Sequence, residues 1–184
     1  MNYQKINYFD TANARGLSTV LWISGCEHHC EDCFNKETWS FDSGKELTQD
    51  KIQEIIESLK NTHIKNFVLS GGDPLHPKNI DDTIKLCRQI YKNVPGITII
   101  VYTGYTLKEI WGKEKYMHLL SIISILIEGR YDKTKPTKGL DYRGSTNQKA
   151  IHPIINESRD VIGYFNISDE YFISDEYFKE KGED

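Results

Sequence analysis

Three of the four cysteines in the chain fall within eight residues, Cys26-Glu-His-His-Cys30-Glu-Asp-Cys33, a Cys-x3-Cys-x2-Cys spacing just after an apolar run. Three thiolates from one short loop can hold three corners of a [4Fe-4S] cube and leave the fourth iron without a protein ligand. The same thiolates could take a zinc ion, with His28 or His29 completing a tetrahedron. Zinc usually draws on two ligand pairs separated by a longer finger, and the sequence offers no second Cys or Cys/His pair at such a distance. Cys87 is a further candidate ligand, but its place on the apolar stripe of a helical segment suits a small buried hydrophobe. The two histidines, in a polar loop, read as solvated. An iron left open could bind the amino and carboxylate groups of a substrate and pass it an electron.

Reduced thiols fit the remaining composition. The longest apolar run, Ile122 to Ile127, is interrupted by Ser124, and the first residues show no apolar stretch behind a basic start. The expectation is a cytoplasmic protein with neither a membrane span nor a secretory signal, in which bunched cysteines are metal ligands or redox groups and not disulfide partners. Twenty-three basic against 27 acidic residues give a net charge of −4, which excludes a polycationic nucleic-acid binder. At 184 residues the chain can bury one core but falls short of a complete eight-stranded α/β barrel, which takes about 250 residues.

Positioning the cysteines calls for strands alternating with helices. Thr19–Ile23 reads as a buried strand ending at Ser24-Gly25. Thr48 can cap a helix with Ile52, Ile55, Ile56 and Leu59 on one stripe. Asn66–Ser70 is a second strand ended by Gly71-Gly72-Asp73-Pro74, and a second helix carries Ile80, Ile84, Cys87 and Tyr91 before Pro95-Gly96. Ile97–Thr103 and Ser121–Ile127 complete four expected strands, with a short helix from Leu107. Helical connections of this length require parallel βαβ units, which gather a ligand site at the carboxyl ends of the strands. Every chemically suggestive residue lies there. Glycines at such a strand end let backbones approach closely, and Asp73 is either an acceptor for an ammonium group or a cap preceding Pro74.

Charge divides the chain into a nearly neutral body, residues 1–150, and an acidic extension, residues 151–184, which holds nine acids and three bases. The extension contains the tandem hexapeptide Ile167-Ser-Asp-Glu-Tyr-Phe172 and Ile173-Ser-Asp-Glu-Tyr-Phe178, either a loosely packed duplication or a docking peptide.

Five blocks, in order, carry a family resemblance: Val20-Leu-Trp-Ile-Ser-Gly-Cys26, Cys33-Phe-Asn-Lys-Glu-Thr-Trp39, Leu69-Ser-Gly-Gly-Asp-Pro-Leu-His-Pro77, Tyr102-Thr-Gly-Tyr105 and Arg143-Gly-Ser-Thr-Asn-Gln148. Together with the cysteine spacing they resemble the radical S-adenosylmethionine activating proteins of anaerobic ribonucleoside-triphosphate reductase. The resemblance implies a partial, open (β/α) barrel with mostly parallel strands. It implies a [4Fe-4S] cluster on Cys26, Cys30 and Cys33, with S-adenosyl-L-methionine beside it. Asp32, Cys33 and Phe34 match the stretch that runs along that cofactor, and Gly71, Gly72 and Asp73 match the motif that receives its methionine amino group. The implied partners are the reductase, on which a glycyl radical is made, and a flavodoxin-like electron donor. Two departures stand out. Asp32 replaces the aromatic or small residue common before the third cysteine, and Asn13-Ala-Arg-Gly-Leu-Ser18 replaces an Asn-Gly-Pro-Gly-x-Arg stretch. Other readings of the same residues are an activase of a different glycyl radical enzyme and a structural zinc-binding adaptor. On the leading reading, alanine at any one of Cys26, Cys30 or Cys33 abolishes S-adenosylmethionine cleavage, while Cys87→Ala leaves iron content intact; iron analysis and a 5′-deoxyadenosine assay measure both.

Overall fold

Alternation along the strands splits the apolar residues onto two faces. In the computed structural model, which describes residues 1–137 and 142–168, Leu21, Ile23, Phe67, Leu69, Ile99, Val101 and Leu126 point to one face of a sheet. There they pack beneath the helices in the main core. Their neighbours Val20, Val68, Ile100, Ile125 and Ile127 point to the other face, where Ala14, Ala150 and Ile167 join them in a smaller cluster. Burying each such large side chain contributes roughly 1.5–3 kcal/mol, and both faces of the central strands gain it.

The elements are β1 (Asn2–Asp10), β2 (Leu17–Ile23), a 3-10 turn (Lys36–Thr38), β3 (Lys45–Glu46), α1 (Gln49–Leu59), β4 (Ile64–Gly71), α2 (Ile80–Asn93), β5 (Thr98–Tyr102), α3 (Leu107–Ile110), α4 (Glu114–Leu120), β6 (Ile125–Glu128), β7 (Lys149–Ile155) and β8 (Val161–Asn166). They form one eight-stranded sheet in the order β3-β1-β2-β4-β5-β6-β7-β8. The sheet is not closed, since β3 and β8 are its two edges. β2, β4, β5 and β6 run parallel. The flanking pairs β1–β2, β1–β3, β6–β7 and β7–β8 are antiparallel. The expectation of mostly parallel strands is therefore corrected: the parallel unit is the centre of a mixed sheet, and antiparallel strands extend it on both sides.

The first helix forms as its sequence dictates, with Thr48 accepting from the Lys51 amide at 3.3 Å and Ile52, Ile55, Ile56 and Leu59 all buried. In α2 the stripe runs through Ile80, Ile84, Cys87 and Ile90, whereas Tyr91 is exposed and takes the Arg159 guanidinium 4.9 Å from its ring centroid. The expected strand from Ser121 begins only at Ile125, because residues 121–123 finish α4 with helical-type bonds to Met117 and Leu119. β7 spans the composition boundary at residue 151. The repeat beyond Ser168 lies outside the described residues.

The mixed topology fixes where the segment after β6 begins and ends. β6 leaves the core toward the carboxyl edge of the parallel strands, and β7 returns from that edge antiparallel to it. The intervening segment from Gly129 to Gln148 must start and finish beside the cysteine loop.

Cys87 is fully buried, and burial alone pushes its thiol up to about 12. The folded value lies above that of the unfolded thiol, near 9, so this contribution to stability is intact below pH 9 and lost as pH rises from 9 toward 12. Urea unfolding at pH 8 and pH 10 should show the wild-type chain losing about 1.4 kcal/mol more than Cys87→Ala across that unit above pH 9.

Candidate active site

The cysteine loop leaves β2 through Gly25 and is laced to the segment behind it: the Gly25 amide donates to Thr38 O at 2.7 Å and the Cys26 amide to Trp39 O at 3.0 Å. The loop from β4 lies directly alongside. Gly72 N donates to Ile23 O and Asp73 N to Gly25 O, both at 2.8 Å. A Cβ on Gly72 would sit 2.6 Å from Gly25 O, and one on Gly71, whose φ is +99°, would sit 2.8 Å from Ile23 O. The two glycines are thus required by the close passage of one backbone against another, which sets the distance between the two loops.

Asp73 is the electrostatic centre. Its carboxylate is 1% exposed and accepts from the Leu75 amide (2.8 Å), the Thr103 hydroxyl (2.9 and 3.1 Å) and the Gly104 amide (2.9 Å). His28 Nε2 lies 2.5 Å from its Oδ2. Both oxygens are therefore committed to the protein, and Asp73 ties its own turn, the end of β5 and the cysteine loop together. Asn79 reinforces this from below, its buried amide donating to the carbonyls of Ser24, Gly25 and Asp73 at 2.9–3.1 Å.

His28 overturns its reading as a solvated loop residue. Its side chain is 9% exposed. Its ring meets Tyr105 edge-on at 4.6 Å between centroids, and any Cβ on Gly104 would collide with it. His29, by contrast, is exposed against Trp39. No feature of the local sequence marks His28; only the Thr-Gly-Tyr turn after β5, which supplies a gap the size of a missing side chain, hints at a partner.

Cys26, Cys30 and Cys33 line one cavity of about 360 Å³ together with Phe34, Gly71, Gly72 and Asp73. Trp22, Tyr131 and Gln148 share its wall. Asp32 is not among the lining residues. It faces outward, 3.2 Å from Lys133 and 3.8 Å from Lys36, on a backbone of φ +56°. Phe34 stands at the mouth, 73% exposed, with its ring 4.9 Å from that of Tyr131. Burial holds the Cys26 thiol up at about 11 against the opposing backbone amide of His28, and raises Cys30 against that of Tyr131. The Asn35 amide donates to Cys33 Sγ at 3.4 Å. Cys33 Sγ thus meets a backbone amide, and a ligand sulfur supplied with an N–H donor is a surrounding that iron–sulfur clusters take. In the same wall the buried Nε1 of Trp22 has no hydrogen-bond partner among the described residues, a donor suited to a further polar group in the cavity.

Asp73→Asn puts an NH2 group where one of two carboxylate oxygens now accepts a backbone amide, whichever way the side chain turns. Thermal or urea unfolding should show a loss of about 1–3 kcal/mol.

Residues 12–151 match the protein family described as a 4Fe-4S single cluster domain. Relatives named anaerobic ribonucleoside-triphosphate reductase-activating protein align over most of the chain. Those of Vibrio cholerae serotype O1 and Escherichia coli K12 are each 39% identical over 154 residues, covering 83% of this chain and 97% and 99% of theirs. That of enterobacteria phage T4 is 36% identical over 149 residues, 81% of this chain and 92% of its own. Among the described residues no helix is long and apolar enough to cross a membrane. A cavity that collects three thiols beside a buried carboxylate, inside a matched four-iron domain and in near full-length register with these relatives, makes the chain a member of the anaerobic ribonucleoside-triphosphate reductase-activating protein family.

Proposed function

We propose that this protein generates the glycyl radical of an anaerobic ribonucleoside-triphosphate reductase, as a radical S-adenosylmethionine oxidoreductase acting in the cytoplasm on that protein partner. The observation that carries the reading is the meeting of Cys26, Cys30 and Cys33 with the Gly71-Gly72-Asp73 turn in one cavity at the carboxyl ends of the parallel strands. When bound and reduced, a [4Fe-4S] cluster supplies one electron to the sulfonium of S-adenosyl-L-methionine, giving methionine and a 5′-deoxyadenosyl radical that takes a hydrogen atom from a glycine of the partner.

The residues divide the remaining work. The three cysteines hold the cluster and leave one iron for the methionine end. Gly71 and Gly72 bring the β4 loop against the cysteine loop so that the amino group of the ligand meets backbone at that turn. Asp73 acts by organising the turn, since its own oxygens are occupied. Cys33 and Phe34 flank the rest of the ligand, while Asp32 contributes through its backbone at the bend. Trp22 Nε1 offers a donor from the wall. A flavodoxin-like protein supplies the electron. Residues 1–150 carry the chemistry as a partial, open barrel, whose open side admits the partner's loop, and residues 151–184 are an acidic extension.

A zinc adaptor fits less well. Three thiolates leave a structural zinc site one ligand short. His28 is engaged by Asp73. The test is anaerobic reconstitution with iron and sulfide, reduction, and assay of S-adenosylmethionine cleavage. A brown protein with about four irons that forms 5′-deoxyadenosine, and a glycyl radical signal when the cognate reductase is added, is expected. A colourless protein holding one zinc and forming no 5′-deoxyadenosine would refute the reading.

A further inference from the structure

Backbone bonds to the rest of the fold hold the cysteine loop at its root. Gly72 N and Asp73 N donate to Ile23 O and Gly25 O, Cys26 N donates to Trp39 O, and Asn79 Nδ2 donates to Ser24 O and Gly25 O. From Glu27 to Asp32 the loop is held by side chains, while its backbone turns through two left-handed residues, His29 (φ +48°) and Asp32 (φ +56°), a conformation that a side chain disfavours. Several of these holds are exposed. Glu27 meets His76 (3.1 Å) and Lys78 (3.4 Å) at the surface. The strap Gly129–Lys133 is pinned by the block Arg143–Gln148, through Gln148 Nε2 to Gly129 O and Asn147 Nδ2 to Arg130 O, both 2.9 Å, and it offers Lys133 to Glu31 and Asp32. Exposed ion pairs of this kind contribute little. The bond from His28 Nε2 to Asp73 Oδ2 differs, at 2.5 Å between side chains that are 9% and 1% exposed. The His28 ring also stands so close over Gly104 that a Cβ there would lie 2.3 Å from its Cδ2, and it lines the cavity together with Cys26 and Cys30.

We propose that His28 is a positioning residue for the ligand of this cavity: its bond to Asp73 fixes the span between the thiol-bearing loop and the Gly71-Gly72 turn, and that span decides whether one S-adenosylmethionine can reach both a cluster held by the loop and the turn. This rests on the four-iron reading above. His28 lies two residues from Cys26 and two from Cys30, so a displacement of its side chain is passed to both. Asp73 is a fixed anchor for it, held by the Leu75 amide, the Thr103 hydroxyl and the Gly104 amide. A ligand gripped at both ends binds well only when the two grips are preset at the right separation, and side chains locked by packing and hydrogen bonds are what preset it. The donor Nε2 of His28 is committed to Asp73, so the residue acts through the loop and not as a contact to the ligand.

The test uses variants of the full chain, reconstituted anaerobically and compared by iron per chain and by equilibrium dialysis of S-adenosylmethionine against the oxidised protein, without turnover. Glutamine carries an amide nitrogen at about the reach of Nε2, whereas asparagine stops a bond short. His28→Gln should keep full iron and bind within about twofold of wild type. His28→Asn and His28→Ala, at full iron, should bind about tenfold more weakly or worse, as loss of a hydrogen bond to a carboxylate predicts. Gly104→Ala, whose Cβ displaces the ring, should show the same loss, and adding it to His28→Ala should weaken binding no further, since no ring remains to displace. A role in stability alone moves none of these affinities once the protein is folded and loaded. Unchanged affinity in His28→Ala at full iron overturns the proposal. A glutamine variant that fails as the alanine variant does, in iron or in affinity, overturns it too. If His28→Ala takes up no iron, the other pair decides: asparagine as good as glutamine overturns the proposal, and glutamine alone keeping cluster and ligand supports it. A wild-type chain that binds no iron refutes the four-iron reading, and the proposal falls with it; failure confined to the variants leaves that reading in place.

Discussion

A carboxylate removed from water must be surrounded by donors or it destabilises the fold, and Asp73 is removed almost completely. Its partners come from three separate segments: the turn after β4, the turn after β5, and the cysteine loop after β2. Satisfying this one group therefore brings three strand ends into a fixed arrangement. The absent side chains of Gly71, Gly72 and Gly104 are the counterpart of that demand, since each leaves room for the backbone or ring that must approach. Asn79 meets three carbonyls of the same assembly, so the loops rest on α2 as well as on one another. The hub is a mechanical part of the site: it fixes where the three loops stand relative to one another.

The central elements were legible because burial on both faces writes a strong pattern. Val20–Ile23, Phe67–Leu69 and Ile99–Val101 are continuous apolar runs, and the stripe of α1 repeats at helical spacing. The outer strands carry no such signal. β1 is largely polar because it lies near an edge, β7 contains Pro153, and β8 contains Gly163 with exposed Ile162 and Phe165. Local sequence cannot distinguish such segments from loops, as their pairing is decided by the strand already in place beside them. The same limit applies within the site. The cysteine spacing identified Cys26, Cys30 and Cys33 as a group. The burial of His28, the outward turn of Asp32 and the occupied oxygens of Asp73 each involve a partner between 30 and 101 residues away.

The mixed sheet also explains why so polar a segment as residues 129–148 belongs to the site. Had β6 been followed by another helix and a parallel strand, the chain would have crossed to the opposite edge. The antiparallel return through β7 keeps both ends of the segment at the carboxyl edge, where its hydrogen bonds close on themselves and on the cysteine loop.

Lys133 and Glu31 are 102 residues apart in sequence yet bonded in the fold, and this separation orders events in time. During synthesis the cysteine loop emerges long before the strap and the block that pins it, and contacts of such long range form late. The thiols therefore spend the interval with one wall of their cavity missing. Until residues 129–133 are in place, the three sulfurs are more open to oxidation than in the finished fold.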